Sequence, residues 1–226
     1  MKLGVLFSGG KDSVFACYRA MDKNQVACLI TLISKNPYSY MFHTPNIQQT
    51  CLQAKAMGVP QFIWPTMGEK ERELDDLSNA ISSAREKFSI EGIVTGAINS
   101  IYQTSRIQKI CYDLDMWCFN PLWQINQLNY MRLLLSKGFR VIIIGVFAYP
   151  FDASWLGAQI TEELIQELGE LQKGYSISPS GEGGELETFV LDGPILKKRI
   201  KILKASSRYE DYRGQFFIEE MQLVEK

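Results

Sequence analysis

The sequence has few of the residues on which metal centres and disulfide frameworks depend. His43 is the only histidine, which excludes a histidine-centred metal cluster. The five cysteines are an odd number, and no two of them have Cys-x-x-Cys spacing. These counts argue against a disulfide framework and against a zinc finger.

Long apolar runs and a strong net charge are also missing. No apolar run approaches the roughly eighteen residues that a membrane-spanning helix needs, so we expect no membrane insertion. The net charge of −1 does not indicate electrostatic binding of nucleic acid. A strand-like run begins almost at the first residue, so we expect no signal peptide and a cytoplasmic protein.

What the sequence does have is a glycine-containing loop between a predicted strand and a predicted helix. Residues 3–7 form an apolar run that a Ser-Gly-Gly sequence ends, which predicts a short buried strand. Apolar side chains then recur at helical spacing over residues 14–21. The loop between the two consists of Ser8, Gly9, Gly10, Lys11, Asp12 and Ser13.

This loop has the groups that bind phosphate. Paired glycines let backbone N–H groups converge without a Cβ in the way. The N-terminus of the following helix adds N–H donors and a partial positive charge. Lys11 adds a cation, and Ser8 and Ser13 add hydroxyl donors. An ordinary glycine-rich turn is the alternative, which the strand–loop–helix context disfavours.

The loop resembles the pyrophosphate loop of the N-type ATP pyrophosphatases, which split ATP between its α and β phosphates. It is not the kinase-type phosphate loop, which needs four residues between Gly and Gly-Lys-Ser/Thr. The resemblance implies a Rossmann-like fold of the adenine nucleotide alpha hydrolase type. It also implies that the protein binds ATP, together with Mg²⁺.

The first half of the chain alternates between strand-like and helical patterns. Strands are predicted at residues 26–33, 61–64, 91–98 and 116–119. Helices are predicted at residues 47–57, with Ile47, Cys51, Ala54 and Met57 inward, and at residues 69–88. A third helix follows the fourth strand, with Ile107, Ile110, Cys111 and Leu114 inward. Such alternation implies right-handed crossovers and an α/β fold with a doubly wound parallel sheet.

Further nucleotide contacts follow by analogy with the ATP pyrophosphatases. That analogy makes the first and fourth strands neighbours, which brings the Ser8 loop beside Gly96 and Ala97. Gly96 would let the backbone approach the α-phosphate or ribose, and capping of the strand is the alternative. Leu32 and Ile33, at the end of the second strand, are the expected adenine wall.

One helix adds a candidate cation. Tyr102 and Arg106 are four residues apart and therefore share a helix face. Arg106 could neutralise charge that develops on the α-phosphate. An ordinary surface arginine is an equal alternative at this position.

The second half of the chain has a different pattern. A helix at residues 131–135 and a strand at 141–147 precede a helical stretch at 153–171. Strands are then predicted at 186–191, 195–203 and 215–223, with turns at 192–194 and 213–214. We therefore expect two domains. Residues 1–121 would bind ATP, and a smaller α+β domain at residues 122–226 would bind the substrate.

Three carboxylates lie close together in the second half, at Glu182, Glu185 and Glu187, around Gly183 and Gly184. If a strand begins here, Glu185 and Glu187 share one of its faces. The group could hold Mg²⁺, receive a cationic substrate or position ammonia. Taken alone, an exposed acidic turn is the better interpretation.

These motifs occur in one order together with four other segments: residues 38–44, 96–106, 121–123 and 154–157. The series resembles the diphthine–ammonia ligase family from the start of the chain to about residue 202. Gly-Glu-Gly-Gly-Glu at residues 181–185 is its most specific part. The resemblance implies ATP-dependent amidation of diphthine, a modified histidine of elongation factor 2, with ammonium as the nitrogen source.

The resemblance also implies residue roles. The catalytic candidates are Lys11, Asp12, Glu182, Glu185 and Glu187. The substrate-binding candidates are Tyr40, His43, Trp123, Gly183 and Gly184, with a purely structural role for His43 equally open. The chain departs from the usual family pattern at Ile101, Leu186 and residues 176–180, which bears on substrate contacts and not on the ATP site.

Two rival functions stay open: modification of a tRNA base by the same ATP chemistry, and a non-catalytic adenine-nucleotide sensor. The missing paired cysteines and basic tail count against the first, so no direct nucleic-acid binding is expected. The basic run at residues 197–204 is typical of an edge strand, with a docking face as the alternative. The sequence leaves the metal ligands and a homodimer open.

Overall fold

The computed structural model of the chain describes residues 1–36, 46–69 and 72–226. The chain divides into two compact units, Met1–Trp123 and Gln124–Lys226. Each unit has its own sheet. Within the described residues, no helix is both long and apolar enough to cross a bilayer.

The first unit is a five-stranded parallel sheet with helices between the strands. Its strands are β1 (Lys2–Leu6), β2 (Gln25–Ser34), β3 (Gln61–Thr66), β4 (Gly92–Val94) and β5 (Trp117–Phe119). Its helices are α1 (Lys11–Met21), α2 (Thr50–Met57), α3 (Glu73–Phe88) and α4 (Ile101–Asp113), and a 3₁₀ turn at Ile47–Gln49 precedes α2.

The strand order is β3-β2-β1-β4-β5, so the direction of winding reverses between β1 and β4. This confirms the predicted doubly wound parallel sheet and the predicted pairing of the first and fourth strands. Loops that leave the carboxyl ends of β1 and β4 therefore meet at the place where such sheets bind ligands.

Apolar packing on the faces of the sheet explains these elements. Ile30 and Ile93 of the sheet are buried with Leu77 and Ile81 of α3 in one apolar cluster. Neighbouring strand residues such as Leu29 and Ile30 are both buried, as expected when helices cover both faces. The sheet is therefore a rigid support for the loops at its carboxyl edge.

Helix α3 begins later than predicted, at Glu73 instead of residue 69. The chain after β3 turns through Gly68, whose φ is +73°. Asn36 Nδ2 donates to the Gly68 carbonyl oxygen over 3.0 Å, which fixes this turn against the end of β2.

The second unit combines an antiparallel sheet with two helices and a 3₁₀ turn. Its elements are α5 (Gln127–Ser136), β6 (Arg140–Val146), a 3₁₀ turn (Ala153–Trp155), α6 (Glu162–Tyr175), β7 (Leu186–Asp192), β8 (Arg199–Glu210) and β9 (Arg213–Val224). The strand order is β7-β6-β9-β8. The basic run reaches into β8, which lies at an edge, as its lysines predict.

The prediction of one helix over residues 153–171 was wrong. The 3₁₀ turn ends at Trp155, and Gly157, whose φ is +82°, follows two residues later. Residues 157–160 then run beside β6, where Gly157 N–H donates to Ile143 O and Ile160 N–H to Val141 O. Thr161 caps α6 by accepting from Leu164 N–H, so a pairing segment separates two helical pieces.

The predicted turn at residues 213–214 was also misplaced. The hairpin between β8 and β9 turns at Asp211 and Tyr212, whose φ values are +46° and +62°. Gly214 lies inside β9, where it pairs with both Tyr209 and Val146. Its added Cβ would lie 2.8 Å from Leu156 Cδ1, so close packing and not a turn accounts for this glycine.

Candidate active site

The loop between β1 and α1 has the conformation expected of a phosphate-binding loop. Gly9 has a φ of +79°, and a Cβ added there would lie 2.3 Å from Gln53 Oε1. Gly10 precedes α1 in an extended conformation and has no side chain to cap the helix. The amino end of α1 therefore borders the loop with donors that an anion can accept.

Two serines fix the backbone of this loop. Ser13 Oγ donates to the Gly10 carbonyl oxygen over 3.0 Å. Ser8 N–H donates to Ser13 Oγ over 3.3 Å, and the two hydroxyl oxygens also lie 3.3 Å apart. The structure thus brings Ser8, Gly9, Gly10 and Ser13 together around the start of α1, as predicted from the sequence.

Lys11 is the cation of this site, and only 2% of its surface is exposed. Its Nζ donates to Asp12 Oδ2 over 2.9 Å, and the Asp12 side chain is partly exposed. A buried ammonium is costly without a negatively charged neighbour. The Asp12 carboxylate therefore stabilises the buried Lys11 ammonium beside the glycine loop.

A buried polar network behind the loop was not predicted from the sequence. Gln53 Nε2 donates to the Gly9 carbonyl oxygen over 2.8 Å. Thr31 Oγ1 donates to the Phe7 carbonyl oxygen over 2.9 Å. Gln61 Nε2 links the network by donating to the hydroxyls of Thr31 and Thr50, over 2.9 and 2.8 Å. These side chains hold the backbone at the amino end of the loop, on both sides of Ser8.

Removing the Gln53 amide should therefore weaken ATP binding. In Gln53→Met the chain length is kept, but the donor to Gly9 O is lost and a buried carbonyl loses that hydrogen bond. We expect the dissociation constant for ATP to rise on the order of tenfold, measured by calorimetric titration. Gln108→Met on the exposed surface of α4 is the matched control. Unchanged ATP affinity in Gln53→Met would show that the loop does not need this bond.

Gly96 lies against the first turn of α1. A Cβ added to it would be 2.7 Å from the Asp12 carbonyl carbon and 2.8 Å from Ser13 N. Thr95, the residue before it, donates its hydroxyl to Asn120 Oδ1 over 2.5 Å and accepts from Ala97 N–H over 3.3 Å. The segment after β4 is thus next to the loop, and the glycine permits contact with the helix backbone.

The other predicted nucleotide-binding residues differ in burial and in the direction of their side chains. Leu32 belongs to the buried apolar cluster under α3, whereas the adjacent Ile33 is half-buried. Neighbouring strand residues point to opposite faces, so both side chains cannot line one adenine wall. The guanidinium carbon of Arg106 lies 3.4 Å from the centre of the Tyr102 ring, which holds this arginine along α4.

The acidic segment of the second unit forms a tight turn before β7. Gly181 and Gly184 have φ values of +72° and +85°, in the region that favours glycine. The Glu185 carboxylate folds over Gly183, where an added Cβ would lie 2.6 Å from Glu185 Oε1. β7 starts at the buried Leu186, so Glu185 and Glu187 share the opposite face of the chain.

Gln127, at the start of α5, anchors the residues that precede this turn. Its Oε1 accepts from Ser178 Oγ over 2.7 Å and from Ser180 Oγ over 2.8 Å. Ser180 N–H donates to the same oxygen over 3.0 Å. The unusual polarity of residues 176–180 is explained by this anchoring, and the sequence offered no signal for Gln127.

Glu185 is the best-defined carboxylate of the turn. Its Oε1 accepts from Ser178 N–H over 3.0 Å. Its Oε2 is buried and has no hydrogen-bond partner within the part of the chain that the structure describes. A buried carboxylate oxygen without a partner is costly, and a cationic or donating ligand would remove that cost.

Family comparisons agree with both halves of this arrangement. The family model of the diphthamide synthase N-terminal domain matches residues 1–117. The family model of the diphthamide synthase C-terminal domain matches residues 126–224. The chain belongs to the diphthamide synthase family. The glycine loop lies in the region that matches the diphthamide synthase N-terminal domain, and the acidic turn lies in the region that matches the C-terminal domain.

Curated relatives named diphthine–ammonia ligase support the same assignment. The Mus musculus protein is 33% identical over 224 residues, which cover 89% of this chain and 83% of its own. The Homo sapiens protein is 33% identical and covers 88% and 82%. A Saccharomyces cerevisiae relative is 28% identical, and the match covers 91% of this chain but 36% of its own.

One solved structure resembles the chain at low identity. It is titled a predicted subunit of tRNA methyltransferase from Methanocaldococcus jannaschii, and it covers 86% of this chain and 98% of its own. The identity is 18% and the TM-score is 0.46, so this likeness does not bear on function.

Three predicted substrate-binding residues of this diphthamide synthase family member stay predictions: Tyr40, His43 and Trp123. Tyr40 and His43 lie outside the described residues. Trp123 is half-buried at the last position of the first unit, and its predicted substrate contact stays a prediction. In the described ranges no group of three or more His, Cys, Asp or Glu side chains could hold a metal ion.

Two buried cysteines of the first unit, Cys17 and Cys28, are not reactive thiols. Burial raises the pKa of Cys17, on α1, and of Cys28, on β2, to about 12 in each case. Thiols with such pKa values stay protonated near neutral pH and are poor nucleophiles. Cys17 and Cys28 are therefore not nucleophiles near neutral pH.

Proposed function

We propose that this protein amidates the carboxylate of diphthine in elongation factor 2, consuming ATP and ammonia and releasing AMP and pyrophosphate. The observation that carries the proposal is one chain with two sites: a phosphate-type loop beside buried Lys11, and a glycine-hinged turn with the incompletely bonded Glu185. The first unit would bind ATP and the second would receive the modified histidine.

Adenylation is needed because a free carboxylate is a poor electrophile. Ammonia therefore cannot displace its oxygen directly. A carboxylate oxygen of diphthine attacks the α-phosphorus of ATP, and the bond from that phosphorus to the α–β bridging oxygen breaks. Pyrophosphate leaves with the electron pair. Ammonia then attacks the carbonyl carbon, the bond to AMP breaks, and nitrogen loses one proton to give the amide.

The loop residues stabilise the charge that this step moves. Negative charge grows on the departing pyrophosphate, and the N–H groups at the start of α1 together with Lys11 would bind it. Mg²⁺ takes most of its ligands from phosphates and water, and Asp12 is the carboxylate at the loop that fits a contact to it. When bound, the ion would supply further positive charge beside the leaving group.

The acidic turn matches the charge of diphthine, which carries a trimethylammonium group. Glu182, Glu185 and Glu187 bring negative charge to one segment. The buried Oε2 of Glu185 would gain its missing electrostatic partner from such a cation. The turn therefore binds the substrate and leaves the bond-making steps to the ATP-binding unit.

The direct test combines the protein with ATP, Mg²⁺, ammonium and elongation factor 2 that carries diphthine. We expect mass spectrometry to show conversion of the acid to the amide, with one AMP and one pyrophosphate formed for each amide. Release of ADP and phosphate would contradict adenylation. Binding of ATP without pyrophosphate release would instead indicate a nucleotide sensor.

Neutralising Glu185 should raise the KM for the modified factor. Glu185→Gln keeps an oxygen that can accept from Ser178 N–H but removes the charge. We expect a KM increase on the order of tenfold, with ATP affinity unchanged, because an ionic contact is lost in the second unit. Glu170→Gln, in an exposed ion pair with Lys173, is the matched control. An unaltered KM in Glu185→Gln would contradict the role given to the turn.

A further inference from the structure

Three tyrosines form an exposed cluster in the second unit that neither the sequence analysis nor the family resemblance singled out. The rings of Tyr149 and Tyr175 lie edge to face, with centroids 5.2 Å apart and an interplanar angle of 83°. Tyr149 and Tyr212 have the same arrangement at 4.9 Å and 82°. The three side chains come from the segment after β6, the end of α6 and the β8–β9 turn.

These rings are open to solvent although they contact one another. The exposed fractions of Tyr149, Tyr175 and Tyr212 are 54%, 50% and 46%. Three large aromatic side chains at one place form an exposed patch of the kind that marks binding sites. Each ring face carries negative electrostatic potential, so such a patch suits a cation better than an uncharged apolar group.

The backbone conformation of Tyr212 independently indicates that a tyrosine is favoured at this position. Tyr212 has a φ of +62°, and the preceding Asp211 has a φ of +46°. Two-residue hairpin turns with positive φ at both positions favour asparagine and glycine. A bulky residue in the left-handed region is rare and costs free energy. The cost is offset if the ring must project from the turn onto Tyr149.

Hydrogen bonds hold the three segments in place. Tyr209 Oη donates to the Phe151 carbonyl oxygen over 3.0 Å and so ties the hairpin to the segment after β6. A hydrogen bond with Tyr175, together with the charges of Tyr175 and Tyr212, raises the pKa of the Tyr149 hydroxyl. We call this cluster the tyrosine platform (Tyr149, Tyr175 and Tyr212).

The strand register places the platform and the acidic turn at the same end of the sheet. Val146, the last residue of β6, pairs with Leu186 at the start of β7 and with Gly214 near the start of β9. Tyr149 and Tyr212 therefore lie beyond the same end of the sheet as Glu185, whose carbonyl oxygen accepts from Phe147 N–H over 2.9 Å.

We propose that the tyrosine platform binds the trimethylammonium group of the substrate by cation–π contact, next to the carboxylates of the acidic turn. A quaternary ammonium has no N–H to donate, so carboxylates alone cannot orient it, whereas aromatic faces recognise it by charge and shape. This inference rests on the proposed function, since it takes diphthine as the occupant.

A titration that does not depend on catalysis tests the platform. Choline supplies the trimethylammonium group, and dimethylbutanol with carbon in place of the nitrogen supplies the same shape without charge. We expect choline to shift the tyrosine ring signals in the NMR spectrum of the full chain and the uncharged isostere not to. Equal shifts by both ligands would mean an ordinary apolar patch and would overturn the proposal.

Ring removal gives the matching kinetic test. Tyr149→Leu should abolish the choline response and raise the KM for diphthine-bearing elongation factor 2 roughly 5- to 30-fold, with little change in kcat. Tyr149→Phe keeps a ring and should retain both properties, and Tyr112→Leu on exposed α4 is the control. An unchanged KM in Tyr149→Leu would overturn the proposal. If wild type forms no amide, the proposed function fails, and the choline titration alone decides whether the platform binds such cations.

Discussion

Replacing Lys11 with methionine should lower the rate of ATP-dependent pyrophosphate release on the order of 100- to 1000-fold, the usual cost of removing one group that stabilises transition-state charge. Methionine fills a similar volume, so the buried position stays packed while the ammonium beside Asp12 is lost. The measurement is single-turnover pyrophosphate release with saturating ATP, ammonium and diphthine-bearing factor.

The chain supplies a matched control for this change. Lys109 and Asp113 also form a lysine–aspartate pair, at 2.7 Å, but on the exposed surface of α4. Lys109→Met should leave the rate unchanged, because exposed pairs contribute little. If Lys11→Met also kept its rate while remaining folded, the glycine loop could not be the place where pyrophosphate is stabilised.

Replacing Gly96 with alanine should lower the same rate on the order of 100-fold. The new Cβ would lie under 3.0 Å from backbone atoms of Asp12 and Ser13, which cannot rotate away as a side chain can. The first turn of α1 must then shift, and small displacements of catalytic groups have costs of this size. We also expect a loss of about 1–3 kcal/mol in unfolding free energy from overpacking.

Gly174→Ala is the control for Gly96→Ala, because it adds the same methyl group without a close contact. Gly174 lies in α6, and nothing stands within 4 Å of its added Cβ. Alanine there should stabilise the helix by up to about 1 kcal/mol and leave the rate unchanged. A Gly96→Ala protein that keeps its wild-type rate would show that the contact between the β4 loop and α1 is not needed for catalysis.

Much of the first unit follows from local patterns. The apolar runs, the helical spacing and the glycine loop lie within short segments, and each pattern depends only on neighbours in the chain. The alternation of strands and helices then permits few topologies. The pairing of β1 with β4, and the position of Gly96 beside the loop, were predicted from the resemblance to the ATP pyrophosphatases and are confirmed.

Errors arose where a partner distant in sequence decides the local structure. Cys51 was predicted to face inward on α2 but is exposed, because Gln53 turns inward to bond Gly9 O. Residues 157–160 leave the predicted helix because the edge of β6 offers backbone partners. Gly214 suggested a turn, yet it serves close packing inside β9.

The sequence by itself determined the parallel sheet, the phosphate-type loop and the resemblance to the diphthine–ammonia ligase family, since these depend on short motifs and their order. Only the tertiary structure decided which polar side chains hold the loop, how Gln127 anchors the acidic turn and where three tyrosines meet. The physical reason is that these contacts join residues up to 63 positions apart, Tyr149 to Tyr212. A hydrogen bond or ring contact across that span leaves no periodicity in the chain.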